Sequence, residues 1–191
     1  MKKQFLGNLY LIIAVLIWGS TFIAQSVGMD SVGPFTFLAA RCLLAVVFLL
    51  PVIALFEKKD LKNYIAKWLD KKLWIAGFFC GTSLFIASSL QQISLVDTDA
   101  GKAGFLTSLY VILVPIIGFF LGKKPKINIV ISTLLAGAGL YLLSCFGVTA
   151  IRGSDVLLIL CALSFAVQIT LVERLGKGVD SLRLKIGRAH V

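Results

Sequence analysis

The chain has 191 residues, 59% of them hydrophobic and 15% charged, with a formal net charge of +10; its mean hydropathy is +0.97. Soluble domains average roughly 45–50% apolar and about 25% charged residues, so a water-soluble globule is excluded and an integral membrane protein is expected. The basic residues lie in clusters between apolar runs and not along one face, which argues against nucleic-acid binding and marks them as loop charges that set topology.

Six apolar runs follow one another, each near the roughly 20 residues that a helix needs to cross about 30 Å of hydrocarbon. They cover about Leu9 to Val27, Phe35 to Phe56, Leu73 to Val96, Ala100 to Leu121, Ile127 to Phe146 and Val156 to Val172. The first follows Met1-Lys2-Lys3, as in a signal peptide, but it is too long for an apolar signal core and no small-residue cleavage pattern follows. It is expected to remain as a membrane anchor. The fold class expected is all-α, a polytopic membrane helix bundle of about six transmembrane helices.

Orientation follows from the loops. Lys2 and Lys3 precede the first run, Lys58, Lys59, Lys62, Lys67, Lys71 and Lys72 fill the second connection, and Lys123, Lys124 and Lys126 fill the fourth. Arg174, Lys177 and Arg183 follow the sixth run, while the alternate connections hold little beyond Asp30, Asp97, Asp99, Lys102, Arg152 and Asp155. The positive-inside rule then places the amino terminus in the cytoplasm, in a cell (plasma or inner) membrane. Between Glu57 and Lys72, the aromatic residues Tyr64 and Trp68 among the lysines, with Trp74 just beyond, suggest either a short interfacial helix or a solvated basic loop.

Polar residues inside the runs are costly in hydrocarbon and so carry information. Ala14, Trp18, Thr21 and Gln25 recur at helical spacing on one face of the first run, expected to look inward. In the third run Gly77 and Gly81 form a Gly-x-x-x-Gly pair expected to be a packing seam, continued by Ser88 and Gln92. Gln91 and Gln92 either bind a solute or bond a neighbouring helix. Arg41 is the charge set well inside a run, without Asp or Glu in any run to meet it; it is either a structural anchor or part of a transport path.

The fourth run opens with Lys102 and small residues at Gly101, Gly104 and Ser108, expected as a close-packing seam, and holds Pro115 in its interior. A proline there costs roughly 3 kcal/mol in a soluble helix but is tolerated where neighbouring helices satisfy the freed backbone groups. Lys102 is expected either to snorkel to the headgroups or to filter charge at the outer mouth. The cysteines Cys42, Cys80, Cys145 and Cys161 lie in apolar runs without metal-ligand spacing and read as packing residues. No catalytic constellation is present: His190 stands alone at the end of the chain, and neither a nucleophile set, a metal site nor a phosphate-binding loop is visible. No enzyme activity and no cofactor are expected.

Trp18-Gly19-Ser20-Thr21-Phe22, Pro34-Phe35-Thr36-Phe37 followed by Arg41, Gln91-Gln92-Ile93 and Ala100-Gly101-Lys102-Ala103-Gly104-Phe105 occur here in that order. With Tyr110 to Pro115 and the Lys123-Lys124-Pro125 exit, they resemble the EamA-type branch of the drug/metabolite transporter superfamily, from about Asn8 to Leu184. The resemblance implies a secondary-active carrier of small solutes such as amino acids, metabolites or drugs, an exporter or exchanger built of ten helices in two five-helix repeats. Residues 1–147 would form the first repeat and 148–184 the start of the second. An odd number of spans per repeat inverts the second copy, the arrangement used for alternating access.

Trp18, Thr21, Gln25, Arg41, Gln91, Gln92, Thr107, Tyr110 and Gln168 are the candidates for the substrate path. The expected partners are the lipid bilayer and a small-molecule solute, with a proton or counter-solute as the coupling species and the oligomeric state open. Residues 185–191 fit no seventh run, and Ile186 to Val191 reads as a translated sequencing adapter, so a non-native tail and an inactive, truncated carrier are expected. Two other classes stay in view: a non-transporting helix bundle acting as sensor or assembly subunit, and a dimeric four-helix multidrug exporter. Span count and the lack of a membrane glutamate disfavour the latter.

Overall fold

The computed structural model describes residues 2–29, 31–56, 68–123, 125, 127–145, 152–177, 179 and 184, and among them it is all helical. The helices are α1 (Lys2–Met29), α2 (Pro34–Phe56), α3 (Lys71–Ser94), α4 (Ala100–Ser108), α5 (Tyr110–Phe120), α6 (Ile127–Cys145) and α7 (Gly153–Leu175). Segments Phe5–Met29, Pro34–Leu55, Lys71–Ser94, Ala100–Phe120 and Gly153–Leu175 are long and apolar enough to cross a membrane, with α6 as a further apolar helix of 19 residues. The protein is a polytopic helical membrane bundle.

Local chemistry sets the helix ends. Pro34 opens α2 at the position where a missing N–H loses nothing. Asp70 caps α3, its carboxylate accepting from the Lys72 N–H at 2.9 Å. After α5 the chain reverses through Gly122, the residue at φ 81°, whose N–H donates to the Phe119 carbonyl at 2.9 Å while Lys123 N–H donates to Gly118 at 3.0 Å. That paired closure is a Schellman motif, and its left-handed position favours glycine.

The fourth apolar run is not one uninterrupted helix. Leu109 separates α4 from α5, and its N–H bonds back three residues to Leu106 at 3.3 Å. The Ser108 hydroxyl donates to the Phe105 carbonyl at 2.6 Å, which tightens the turn; Pro115 lies further on, inside α5. The segment still runs in one direction from Ala100 to Phe120.

Packing departs from chain order. Among the described residues, α7 makes its largest interface with α3, then with α5 and α4, and not with α6, its neighbour in sequence; α6 rests on α5, and α2 on α3. Residues 57–67 of the basic segment expected from Glu57 to Lys72, and the tail at 185–191, lie outside the described residues, while Lys71 and Lys72 open α3. At the border of the former, Trp74 Nε1 donates to the Trp68 carbonyl at 2.7 Å, tying the start of α3 to a residue two before its cap.

Candidate functional site

The seam between α4–α5 and α7 runs in constant register. Lys102 meets Asp155, Ala103 packs with Leu158, Thr107 meets the Cys161 thiol, and the Tyr110 ring lies 6.2 Å from that of Phe165. The α7 residues fall at steps of three, three and four, the repeat by which one helix keeps the same side toward a parallel neighbour. The third face of the seam belongs to α3. Its buried stripe Leu73, Ala76, Cys80, Leu84, Ala87 and Gln91 carries small residues where α7 crosses, and Ser83 Oγ donates to the Ser164 carbonyl at 3.3 Å. Close approach of backbones over small side chains is how helices associate in lipid.

Both ends of the seam carry an ion pair of the same sense. Lys102 Nζ lies 2.7 Å from Asp155 Oδ2, with side chains 27% and 6% exposed, and Lys123 pairs with Glu173 at the other end, where both are exposed. Asp155 Oδ2 also accepts the Arg152 N–H at 2.9 Å, so this carboxylate caps α7 as well as holding the lysine. Eighteen residues of helix separate Asp155 from Glu173, about 27 Å at 1.5 Å per residue, close to the thickness of the hydrocarbon core. Arginine and lysine loop counting could not anticipate the pairing, because Asp155 and Glu173 lie just outside the apolar run but inside helix α7.

Beside the seam, α1 and α4–α5 enclose a groove of about 460 Å³. Trp18, Phe22 and Ile23 form one wall, and Gly101, Gly104, Thr107 and Tyr110 the other. Trp18 and Tyr110 stack across it, with ring centroids 6.1 Å apart at 28°. At Gly104 an added Cβ would touch the Phe22 ring at 3.7 Å, whereas at Gly101 it would meet nothing within 4 Å. Gly104 therefore sits in a helix contact, and Gly101 serves the open groove and not a close-packed seam. Ser108 also lines the groove, while Gly77 and Gly81 are half-buried at the side of the α3 stripe.

Seven of the nine candidate path residues fall into two groups, with Thr21 and Arg41 in neither. Trp18, Thr107 and Tyr110 line the groove. Gln25, Gln91, Gln92 and Gln168 are instead buried in helix contacts. Gln91 Nε2 donates to Thr107 Oγ1 at 3.2 Å, Gln92 Nε2 to Met29 Sδ at 2.7 Å, and Gln25 Nε2 to the Thr21 carbonyl at 3.1 Å. Gln25 Oε1, Gln92 Oε1 and Gln168 Nε2 are buried without a hydrogen-bond partner. Thr107 alone belongs to both groups.

The inward face expected of α1 holds only in its second half. Gln25 is buried and Thr21 half-buried, but Ala14 is exposed and Trp18 is 45% exposed, because α1 is covered by α4 and α2 on one side only. Arg41 is half-buried on α2, away from the groove lining, with its Nε unpartnered. Among the described residues no group of three or more His, Cys, Asp or Glu could hold a metal.

A match to the EamA-like transporter family covers residues 5–145. The chain belongs to this family. Similar curated proteins include an uncharacterized transporter of Archaeoglobus fulgidus, 33% identical over 176 residues, which are 92% of this chain and 51% of that protein. An uncharacterized protein of Haemophilus influenzae is 32% identical over 118 residues, covering 62% of this chain and 86% of its own length. The uncharacterized transporter YoaV of Bacillus subtilis is 27% identical over 197 residues, 100% of this chain and 60% of the relative. The chain thus spans about half the length of the first of these EamA-like relatives. No solved structure matches it.

Proposed function

We propose that this EamA-like chain comprises the first five-helix repeat and the opening helix of the second repeat of a ten-helix secondary carrier for small solutes. The observation that carries this reading is the docking of α7 into α3, α4 and α5 in place of its chain neighbour α6. A helix that leaves its own sequence neighbour to complete another group of helices suits two interlocked repeats, whose relative rocking gives alternating access. In this reading residues 1–147 are one repeat and 148–184 begin its inverted copy, with the amino terminus in the cytoplasm.

Solute passes along the groove between α1 and α4–α5, against the Trp18 and Tyr110 rings and the Thr107 hydroxyl. Aromatic walls with a few polar groups are the usual furniture of small-molecule sites. The buried glutamines hold the helices behind that wall, and Gln25 Oε1, Gln92 Oε1 and Gln168 Nε2 are their polar atoms left for further partners. Coupling is by a proton or by exchange with a counter-solute.

The test is an efflux and uptake screen of amino acids, metabolites and drugs in cells carrying the whole-length gene, with the 191-residue form as control. Solute movement that depends on the whole-length protein and is lost in the short form supports the proposal. Full activity in the short form, or none in the long one across the panel, refutes it.

A further inference from the structure

The Lys102–Asp155 pair joins a helix of the first five to α7, and it differs from its counterpart at the other end of the seam in being shielded. Asp155 is 6% and Lys102 27% exposed, against 53% for Glu173 and 42% for Lys123. Asp155 Oδ1 is buried without a partner, so Lys102 is the side chain that bonds this carboxylate, with Arg152 a second positive charge nearby. Just beneath the pair, Phe22 of α1, Leu95 after α3, Ala103 of α4 and Leu158 of α7 form one cluster. One turn deeper lies the polar layer of Gln91, Thr107 and Cys161.

We propose that Lys102 and Asp155 are positioning residues of the transport cycle, an ionic tie between the two repeats that closes the polar layer from the face where α4 and α7 begin. This rests on the carrier reading above. Separating two shielded charges requires water to reach both, so opening this face and hydrating the layer beneath it are one event. The exposed Lys123–Glu173 pair is already hydrated and screened, and parts with little penalty. The bundle is therefore held closed at one face and left free at the other, the asymmetry that one state of an alternating carrier needs.

Cys161 reports the opening directly, being fully buried in that layer. With Cys42, Cys80 and Cys145 replaced by alanine, its reaction rate with a small charged methanethiosulfonate is measured on the purified protein in lipid nanodiscs. Lys102→Gln and Asp155→Asn are each expected to raise the rate about tenfold, the factor carried by an ion pair somewhat stronger than a surface one. The charge-swapped Lys102→Asp/Asp155→Lys and the conservative Lys102→Arg are expected to stay near the parent rate.

A rate unchanged in both single variants, or equally high in the swap and in Lys102→Arg, overturns the tie. Should a single variant fail to accumulate, restored accumulation with slow labelling in the swap supports the tie, and its absence counts against it. No solute enters this assay, so the two readings fail separately. Normal tie behaviour in a protein that moves no solute leaves the tie and removes the carrier, whereas flat labelling in a protein that transports does the reverse.

Discussion

Leu158 and Leu160 stand two residues apart on α7, one fully buried against Phe22, Leu95 and Ala103 and the other 46% exposed. Truncating each to alanine removes the same atoms from the same helix at nearly the same depth. In a soluble core, Leu→Ala costs about 2–5 kcal/mol, as a transfer part plus a cavity part. Three methylene equivalents at about 0.8 kcal/mol each make the transfer part roughly 2.4 kcal/mol. In a bilayer that part disappears, because a helix separated from its partners still lies in hydrocarbon.

What remains for Leu158→Ala is the unfilled space, about 1–2 kcal/mol. For Leu160→Ala lipid fills the gap and the change stays within about 0.5 kcal/mol. Equilibrium unfolding in mixed micelles or reversible steric trapping in bicelles measures both. Equal losses in the two variants would refute the seam. A loss of about 4 kcal/mol or more at Leu158 would refute the bilayer reference on which the magnitude depends.

The Gln91–Thr107 bond, buried at 3.2 Å, is expected to show a coupling of about 0.6 kcal/mol in a double-mutant cycle of Gln91→Leu and Thr107→Val, typical of interhelical bonds in membranes. Gly101→Ala should be neutral or stabilising by up to about 1 kcal/mol, since a Cβ there meets nothing, whereas Gly104→Leu drives into Phe22 and should lower the melting temperature. On the carrier reading proposed above, Trp18→Ala in the whole-length protein, which removes a ring 6.1 Å from Tyr110, should raise KM with little change in melting temperature; unchanged solute kinetics would remove the groove from the path. A cysteine replacing Val32, exposed between α1 and α2, should react with an impermeant maleimide on intact cells, while one replacing Leu69 should not; the opposite pattern inverts the topology.

Span positions were legible because a helix in hydrocarbon must be both apolar and about 20 residues long, a constraint written in composition alone. The sixth run, expected over Val156 to Val172, emerges as Gly153–Leu175, with Asp155 and Glu173 as part of the helix. Hydropathy stops at the first carboxylate, while a helix accepts an acid in its first turn, as at Asp155, and the acid in its last turn, Glu173, is paired with Lys123. The pairing of α7 with α3 was not legible, since a polar face marks the side turned away from lipid but not which helix covers it, and hydrophobic periodicity does not distinguish a lipid-facing apolar side from a helix-facing one. The small residues singled out as packing seams were a partial guide: Gly104 meets Phe22, but Gly101 opens on the groove and Gly77 and Gly81 are half-buried, while the fully buried Ala87, Ala103, Ala162 and Ala166 went unmarked. The polar side chains were found but their company was not, because Gln92 meets the thioether of Met29, a partner that no spacing within one helix reveals.

The late arrival of α7 has a consequence for how the protein is made. Helices leave the translocation machinery in chain order, so Gln91 can bond Thr107 and Gln92 can bond Met29 before α7 exists. The face of α3 that α7 covers, with Ser83 whose hydroxyl donates to the Ser164 carbonyl, stays open to lipid while α5 and α6 are synthesised. Until residue 175 has emerged, the nascent bundle displays that uncovered face, and a chaperone or an intramembrane quality-control protease has that interval in which to find it.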